Sequence, residues 1–175
     1  MHAFAFVEEV FRALDLGLES RARSFKRLSM GVLFLLNNIY HIVKSFKNSG
    51  LAAMLTVETE KRYELAVQEH TKKTIGCWAS IGQILHDSAR SNMYPRDRLK
   101  AFAAEFEEAV KSLGYGAVPD AGLRNALREE IKKCILQPFT TFYSQNASVC
   151  MAFQSKSFRY DNDELEKIIS NLFEA

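Results

Sequence analysis

Basic side chains form the clusters in this sequence whose type and spacing could do chemistry. Three clusters stand out: Arg21, Arg23, Lys26 and Arg27; Lys132 and Lys133; and Lys156 and Arg159. Near an acidic membrane, each basic side chain can contribute about 1 kcal/mol of attraction to anionic lipid headgroups. The alternative is that these residues only keep the surface soluble, and the adjacent Glu129 and Glu130 already offset the second cluster in part. Composition alone does not choose between the two interpretations.

Catalytic patterns are missing from the sequence. It has no G-x-G-x-x-G, no G-x-x-x-x-G-K-[ST], no H-E-x-x-H and no EF-hand loop. The four histidines show no metal-ligand spacing, and His70 falls on an apolar helical stripe, where a core or boundary histidine is the expected role. We therefore predict a protein that is not an enzyme and that holds no cofactor and no metal.

The cysteines are Cys77, Cys134 and Cys150, an odd number without a C-x-x-C pair. This pattern argues against a disulfide framework or a zinc site, and it favours a reducing compartment. Cys77 and Cys134 lie among apolar helical residues, so we expect them to be small buried side chains. Cys150 falls in a loop-like stretch, where it could be exposed.

Composition indicates an ordinary globular chain. Hydrophobic residues make up 47% and charged residues 25% of the 175 positions, and the formal net charge is only +2. That charge is too small for a bulk nucleic-acid binder, so no nucleic-acid partner is expected.

Residues 28–43 are free of charge but contain Asn37, Asn38 and His41 and form too short a stretch to span a bilayer comfortably. Glu8 and Glu9 interrupt the first apolar run, which argues against a signal peptide and for a cytosolic protein.

Hydrophobic periodicity near 3.6 residues predicts six helices and no strands. Their expected extents are a first helix to about Arg23, a second from an N-cap at Ser29 to Asn48–Gly50, a third from about Val57 to His86, a fourth from Pro95 to Gly114, a fifth from Pro119–Asp120 to Phe142, and a sixth from Asp161. Pro138 should kink or end the fifth helix, and Asp161 with Glu164 forms a capping-box variant. Short connections favour an antiparallel bundle, which we assign to one domain over residues 1–175.

Several segments resemble, in order along the chain, the C-terminal region of the exocyst complex's seventy-kilodalton subunit family. The matching segments are residues 18–25 with the family's L-x-x-K-A-K-x-Y, residues 33–43 with F-L-M-N-N-x-x-Y-I-V, residues 98–108 with R-F-K-x-F-N-x-x-F-E-E, residues 118–128 with V-P-D-x-x-L-R-x-x-L-R, and residues 172–174 with L-F-E. The family's K-Y-I-K-Y loop corresponds to residues 156–160, where both basic positions are kept and the first aromatic residue is lost. The family's long N-terminal helical rod has no counterpart here, so the chain is either a fragment or a shortened member.

The resemblance implies an elongated helical bundle that acts in exocytosis, tethering secretory vesicles to the plasma membrane. In the family, the basic loop residues bind phosphatidylinositol bisphosphate; here these residues are Lys156 and Arg159. Lys132 and Lys133 could add charge if the fifth helix lies beside that loop. The implied partners are other exocyst subunits and small Rho-type GTPases, and the implied location is cytoplasmic and peripheral to the plasma membrane. The alternative is a helical adaptor that binds proteins and has no membrane affinity.

Overall fold

A computed structural model describes residues 2–49, 56–86, 93–113, 116–154 and 160–174 of the chain. Every regular element in these ranges is an α-helix, which confirms the all-α class. The seven helices are α1 (His2–Arg23), α2 (Leu28–Asn48), α3 (Val57–His86), α4 (Pro95–Leu113), α5 (Ala121–Gln145), α6 (Ala147–Gln154) and α7 (Asn162–Ser170).

Local sequence signals placed most helix boundaries correctly. The third helix runs from Val57 to His86 as predicted, and Pro95 is the first residue of α4, where its missing N–H costs no hydrogen bond. Asp120 caps α5 by accepting a hydrogen bond from the N–H of Leu123 at 2.9 Å. Asp161 caps the last helix in the same way, accepting from the N–H of Glu164 at 2.8 Å. Short polar side chains at these positions satisfy amide groups that the first turn leaves without partners.

Some predicted boundaries are wrong. The N-cap position of α2 is Arg27 and not Ser29, since the helix already begins at Leu28; the Arg27 side chain makes no capping hydrogen bond. An additional helix, α6, occupies the stretch assigned to a loop, so Cys150 is buried within it. Burial also raises the pKa of the Cys150 thiol. Gly50 and Gly114, the predicted helix stops, lie outside the described residues.

The other two cysteines are less buried than predicted. Cys77 is exposed and Cys134 is partly exposed. The reason for Cys77 is its register on α3, whose buried positions include Thr74, Trp78 and Ile81. A residue directly before Trp78 points about 100° away from that face.

The chain divides into two compact units, residues 1–74 and residues 75–175, with the division inside α3. Unit 1 contains α1, α2 and the start of α3 around a small core of Ile39, Phe46 and Tyr63. Phe11 of α1 packs edge-on against Phe46, with ring centroids 5.0 Å apart. The Tyr63 hydroxyl donates to Asp15 at 2.6 Å, which ties α3 to α1. The assignment of one domain to residues 1–175 stays a prediction.

The core of unit 2 contains a series of aromatic rings in contact. Trp78 is fully buried and lies 6.0 Å from the ring of Phe106, which in turn lies 5.9 Å from Phe102. Phe102 continues the series to Phe139 of α5 at 5.7 Å. Aromatic pairs at these separations stabilise a core beyond the area they bury. The rings therefore join α3, α4 and α5 within this unit.

Pro138 lies inside α5 and does not end it, since the helix continues to Gln145. A proline has no N–H, so the carbonyl of residue 134, four positions earlier, loses its helical partner. That carbonyl of Cys134 faces Gly82 of α3 so closely that a Cβ atom added at Gly82 would lie 2.0 Å from its oxygen. Ile135, Phe139 and other buried residues on both sides of the proline hold α5 in the core. The prediction that Pro138 could end the helix is therefore wrong, and tertiary packing is the reason.

We predict that Gly82→Ala destabilises the protein by about 2–3 kcal/mol, because the new methyl group meets backbone that cannot swing aside. Gly76→Ala on the same helix is the matched control, since a Cβ at that position meets nothing within 4 Å. It should raise the free energy of unfolding by about 0.5–1 kcal/mol through helix propensity. Urea denaturation followed by far-UV circular dichroism measures both, and equal effects at the two glycines would contradict the close contact.

Candidate functional site

Lys156 and Arg159, the principal predicted site residues, lie outside the described residues. The structure does describe what precedes and follows them. The preceding helix, α6, packs against α4 and α5. Tyr160, which directly follows Arg159, is 4% exposed; its ring lies 5.7 Å from Phe106, and its hydroxyl donates to Glu107 of α4 at 2.9 Å. The described residues on both sides of the basic segment are therefore packed on α4.

Lys132 of α5 is held by two carboxylates. Its ammonium group lies 3.2 Å from Glu129 on the same helix and 3.2 Å from Glu166 of α7. Only 20% of its side chain is exposed. The hydrogen bond to Glu129, followed by that to Glu166, raises the pKa of Lys132, so it stays charged at neutral pH. This residue links α5 to α7 and has little free surface for a headgroup.

Lys133 is more accessible but also paired. Its ammonium group lies 2.6 Å from Glu130, and 67% of its side chain is exposed. The hydrogen bond to Glu130 raises the pKa of Lys133. An exposed pair of this kind contributes little to stability, so a phosphate group could displace Glu130 at low cost. Of the two α5 lysines, Lys133 is the better placed to meet an anion.

Three arginines of unit 2 are bound to backbone carbonyls and are only partly exposed. Arg98 donates to the carbonyls of Ile84 and Leu85 at the end of α3, and Arg124 donates to the Val118 carbonyl at 2.8 Å. Arg128 donates through Nε to the Leu172 carbonyl at 2.8 Å and also pairs with Glu174. In the sequence, Arg124 and Arg128 were noted only as matches to the family's pattern. Their spacing of four positions, which places both on one face of α5, is the sequence signal that could have indicated a shared structural role. Their role here is structural.

We predict that Arg128→Lys lowers the free energy of unfolding by about 1–2 kcal/mol. Lysine keeps the charge but does not reproduce the planar group that reaches both Leu172 and Glu174. Arg12→Lys, on the exposed surface of α1, should change it by less than about 0.5 kcal/mol. Thermal unfolding at neutral pH compares the two variants, and an equally small effect at Arg128 would contradict the assigned contact.

Other kinds of site find no support in the described part of the chain. It contains no group of three or more His, Cys, Asp or Glu side chains that could hold a metal ion. Within the same residues, no helix combines the length and apolarity needed to cross a bilayer. His70 is half-buried in unit 1, and burial lowers its pKa, which agrees with the boundary position expected from its stripe.

These observations define a helical scaffold whose candidate contacts are basic surface residues. The family model for the C-terminal part of the Exo70 exocyst complex subunit matches residues 3–171, so the chain belongs to this family. This confirms the resemblance noted in the sequence.

Relatives and a solved structure are similar to this chain over most of its length. The chain is 26% identical to exocyst complex component EXO70A3 of Arabidopsis thaliana over 181 residues, covering 95% of the chain and 30% of that protein. It is 24% identical to human exocyst complex component 7, covering 97% of the chain and 25% of that protein. The crystal structure of the Saccharomyces cerevisiae exocyst component Exo70p aligns with a TM-score of 0.66 at 21% identity, covering 86% of this chain and 28% of that one. The chain thus spans between a quarter and a third of the length of these proteins.

Proposed function

We propose that this chain acts as an exocyst subunit in exocytosis, tethering secretory vesicles to the plasma membrane by binding phosphatidylinositol bisphosphate. Family membership over residues 3–171 is the observation that carries the proposal. The principal lipid contacts would be Lys156 and Arg159. Two basic residues three positions apart can reach one multivalent headgroup, with lysine acting as a point charge and arginine gripping two phosphate oxygens.

The surroundings of these residues support a binding role. Tyr160 is anchored by its buried ring and by its hydrogen bond to Glu107, and Asp161 caps α7 directly after it. The residue that directly follows the proposed basic pair is therefore anchored to the core of unit 2.

The lysines of α5 have a smaller part in this proposal. Lys132 is engaged by Glu129 and Glu166, whereas Lys133 has one exposed partner in Glu130. A headgroup would have to displace these carboxylates, and the nearby negative charge would repel it. We therefore expect Lys133 to contribute weakly to phosphoinositide binding and Lys132 to contribute even less.

Protein partners belong to the proposal as well. Other exocyst subunits would assemble with this chain, and small Rho-type GTPases are further candidates. The second candidate function is a helical adaptor that binds such proteins without touching lipid. Arg98, Arg124 and Arg128 donate hydrogen bonds to backbone carbonyls, which leaves fewer basic groups for lipid headgroups. This observation favours the adaptor.

We predict that Lys156→Ala/Arg159→Ala weakens binding to phosphatidylcholine vesicles containing phosphatidylinositol bisphosphate by about 30-fold, at about 1 kcal/mol per charge. Liposome flotation measures the bound fraction. The matched control is Lys61→Ala/Lys72→Ala, which removes two exposed positive charges from α3 and should have a much smaller effect. Added salt should weaken binding of the parent protein.

The adaptor function predicts a different result. Binding that ignores both the lipid and the double substitution would rule out the membrane proposal. Retained capture of other exocyst subunits by the same variant would then leave the adaptor as the function.

A further inference from the structure

The turn that joins α1 to α2 carries the basic cluster Arg21, Arg23, Lys26 and Arg27, which the proposed function does not use. All four residues are exposed. Glu19 pairs with Arg23 at 2.9 Å, whereas Arg21 and Lys26 form no ion pair with any described residue. Positions 19–28 contain four basic residues and one acidic residue. We call positions 21–28 the basic turn.

The basic turn has a defined conformation. The Ser24 hydroxyl donates to the Arg21 carbonyl at 2.7 Å, and the Phe25 N–H donates to the Ala22 carbonyl at 3.3 Å, which ends α1. The Phe25 ring packs against Phe34 of α2 at 5.5 Å. The Arg21 guanidinium also lies 5.8 Å from the Phe25 ring centroid. The turn is therefore anchored by Phe25 while its charges face outward.

Close packing of the two helices fixes the turn further. A Cβ atom added at Gly31 would lie 2.6 Å from the carbonyl oxygen of Ala22, so α1 and α2 meet at backbone distance just beyond the turn. Only a glycine permits this approach. The two helix ends are thereby held together, and the charges they carry are presented from one place.

Leu28 is the exposed apolar residue of the basic turn. It is the first residue of α2, follows Lys26 and Arg27 directly, and has 85% of its surface exposed. It lies at a cleft of about 540 Å³ within unit 1, whose lining also includes Arg23, His70 and Lys73. Arg21 and Arg23 lie in the last turn of α1, where the helix dipole favours positive charge, and this would explain why these two positions are basic. It does not explain an exposed leucine beside two further basic residues.

We propose that the basic turn is a second membrane contact, which binds the surface of a bilayer containing anionic lipid. Basic side chains around an exposed apolar residue match the chemistry of that surface: the charges meet the headgroups, and the leucine enters the interface below them. A headgroup of any anionic lipid satisfies this arrangement, so the contact responds to phosphatidylserine without a phosphoinositide. It does not depend on Lys156 and Arg159, and it would add avidity to binding at that loop.

The test uses the full chain carrying Lys156→Ala/Arg159→Ala, so that the other site does not contribute. Flotation compares vesicles of phosphatidylcholine alone with vesicles of phosphatidylcholine and phosphatidylserine. Adding Arg21→Ala/Lys26→Ala should weaken binding to the anionic vesicles by about 30-fold. Adding Leu28→Ser should weaken it by about tenfold through loss of apolar burial.

The controls match each change in kind. Lys61→Ala/Lys72→Ala removes the same charge elsewhere, and Leu16→Ser removes a leucine of α1 that is 69% exposed. Neither should reduce binding by more than about twofold, and unchanged thermal unfolding shows that every variant is folded. Equal binding to both vesicle types overturns the proposal, as does anionic binding that survives the turn substitutions. Capture of a polyglutamate peptide by the turn without vesicle binding would also overturn it, in favour of an acidic protein partner.

Discussion

The buried aromatic rings of unit 2 are the interaction on which the rest of that unit depends. Trp78, Phe106, Phe102 and Phe139 form a continuous series across α3, α4 and α5. Tyr160 joins the series at Phe106, so the residue that follows Lys156 and Arg159 is held by the core itself. Loss of one ring would therefore affect both stability and the packing of Tyr160.

Basic residues in this chain separate into two groups according to their surroundings. Arg98, Arg124 and Arg128 satisfy carbonyls at helix ends and in the C-terminal segment, where they replace hydrogen bonds that regular helix would supply. The second group lies at exposed positions such as the basic turn. Because a guanidinium bound to a carbonyl is no longer offered to a phosphate, the count of basic residues overstates the surface charge available to a membrane.

Sequence patterns predicted the helical class and most helix ends, because caps such as Asp120 and Asp161 act through neighbours three residues away. They failed where packing decides. Pro138 stays within α5 because buried neighbours such as Ile135 and Phe139 hold the helix in the core. The pairing of Lys132 with Glu166 joins residues far apart in sequence, so only the first of its two partners, Glu129, was visible beforehand.

The most direct test of phosphoinositide binding is a titration of isotope-labelled protein with the soluble headgroup inositol trisphosphate, followed by backbone amide resonances. We expect saturable shifts concentrated at residues 155–160, with smaller shifts near Lys133 and none near the buried end of Arg128. Saturable shifts that leave residues 155–160 unchanged, or no saturable shifts at all, would contradict phosphoinositide binding by this loop.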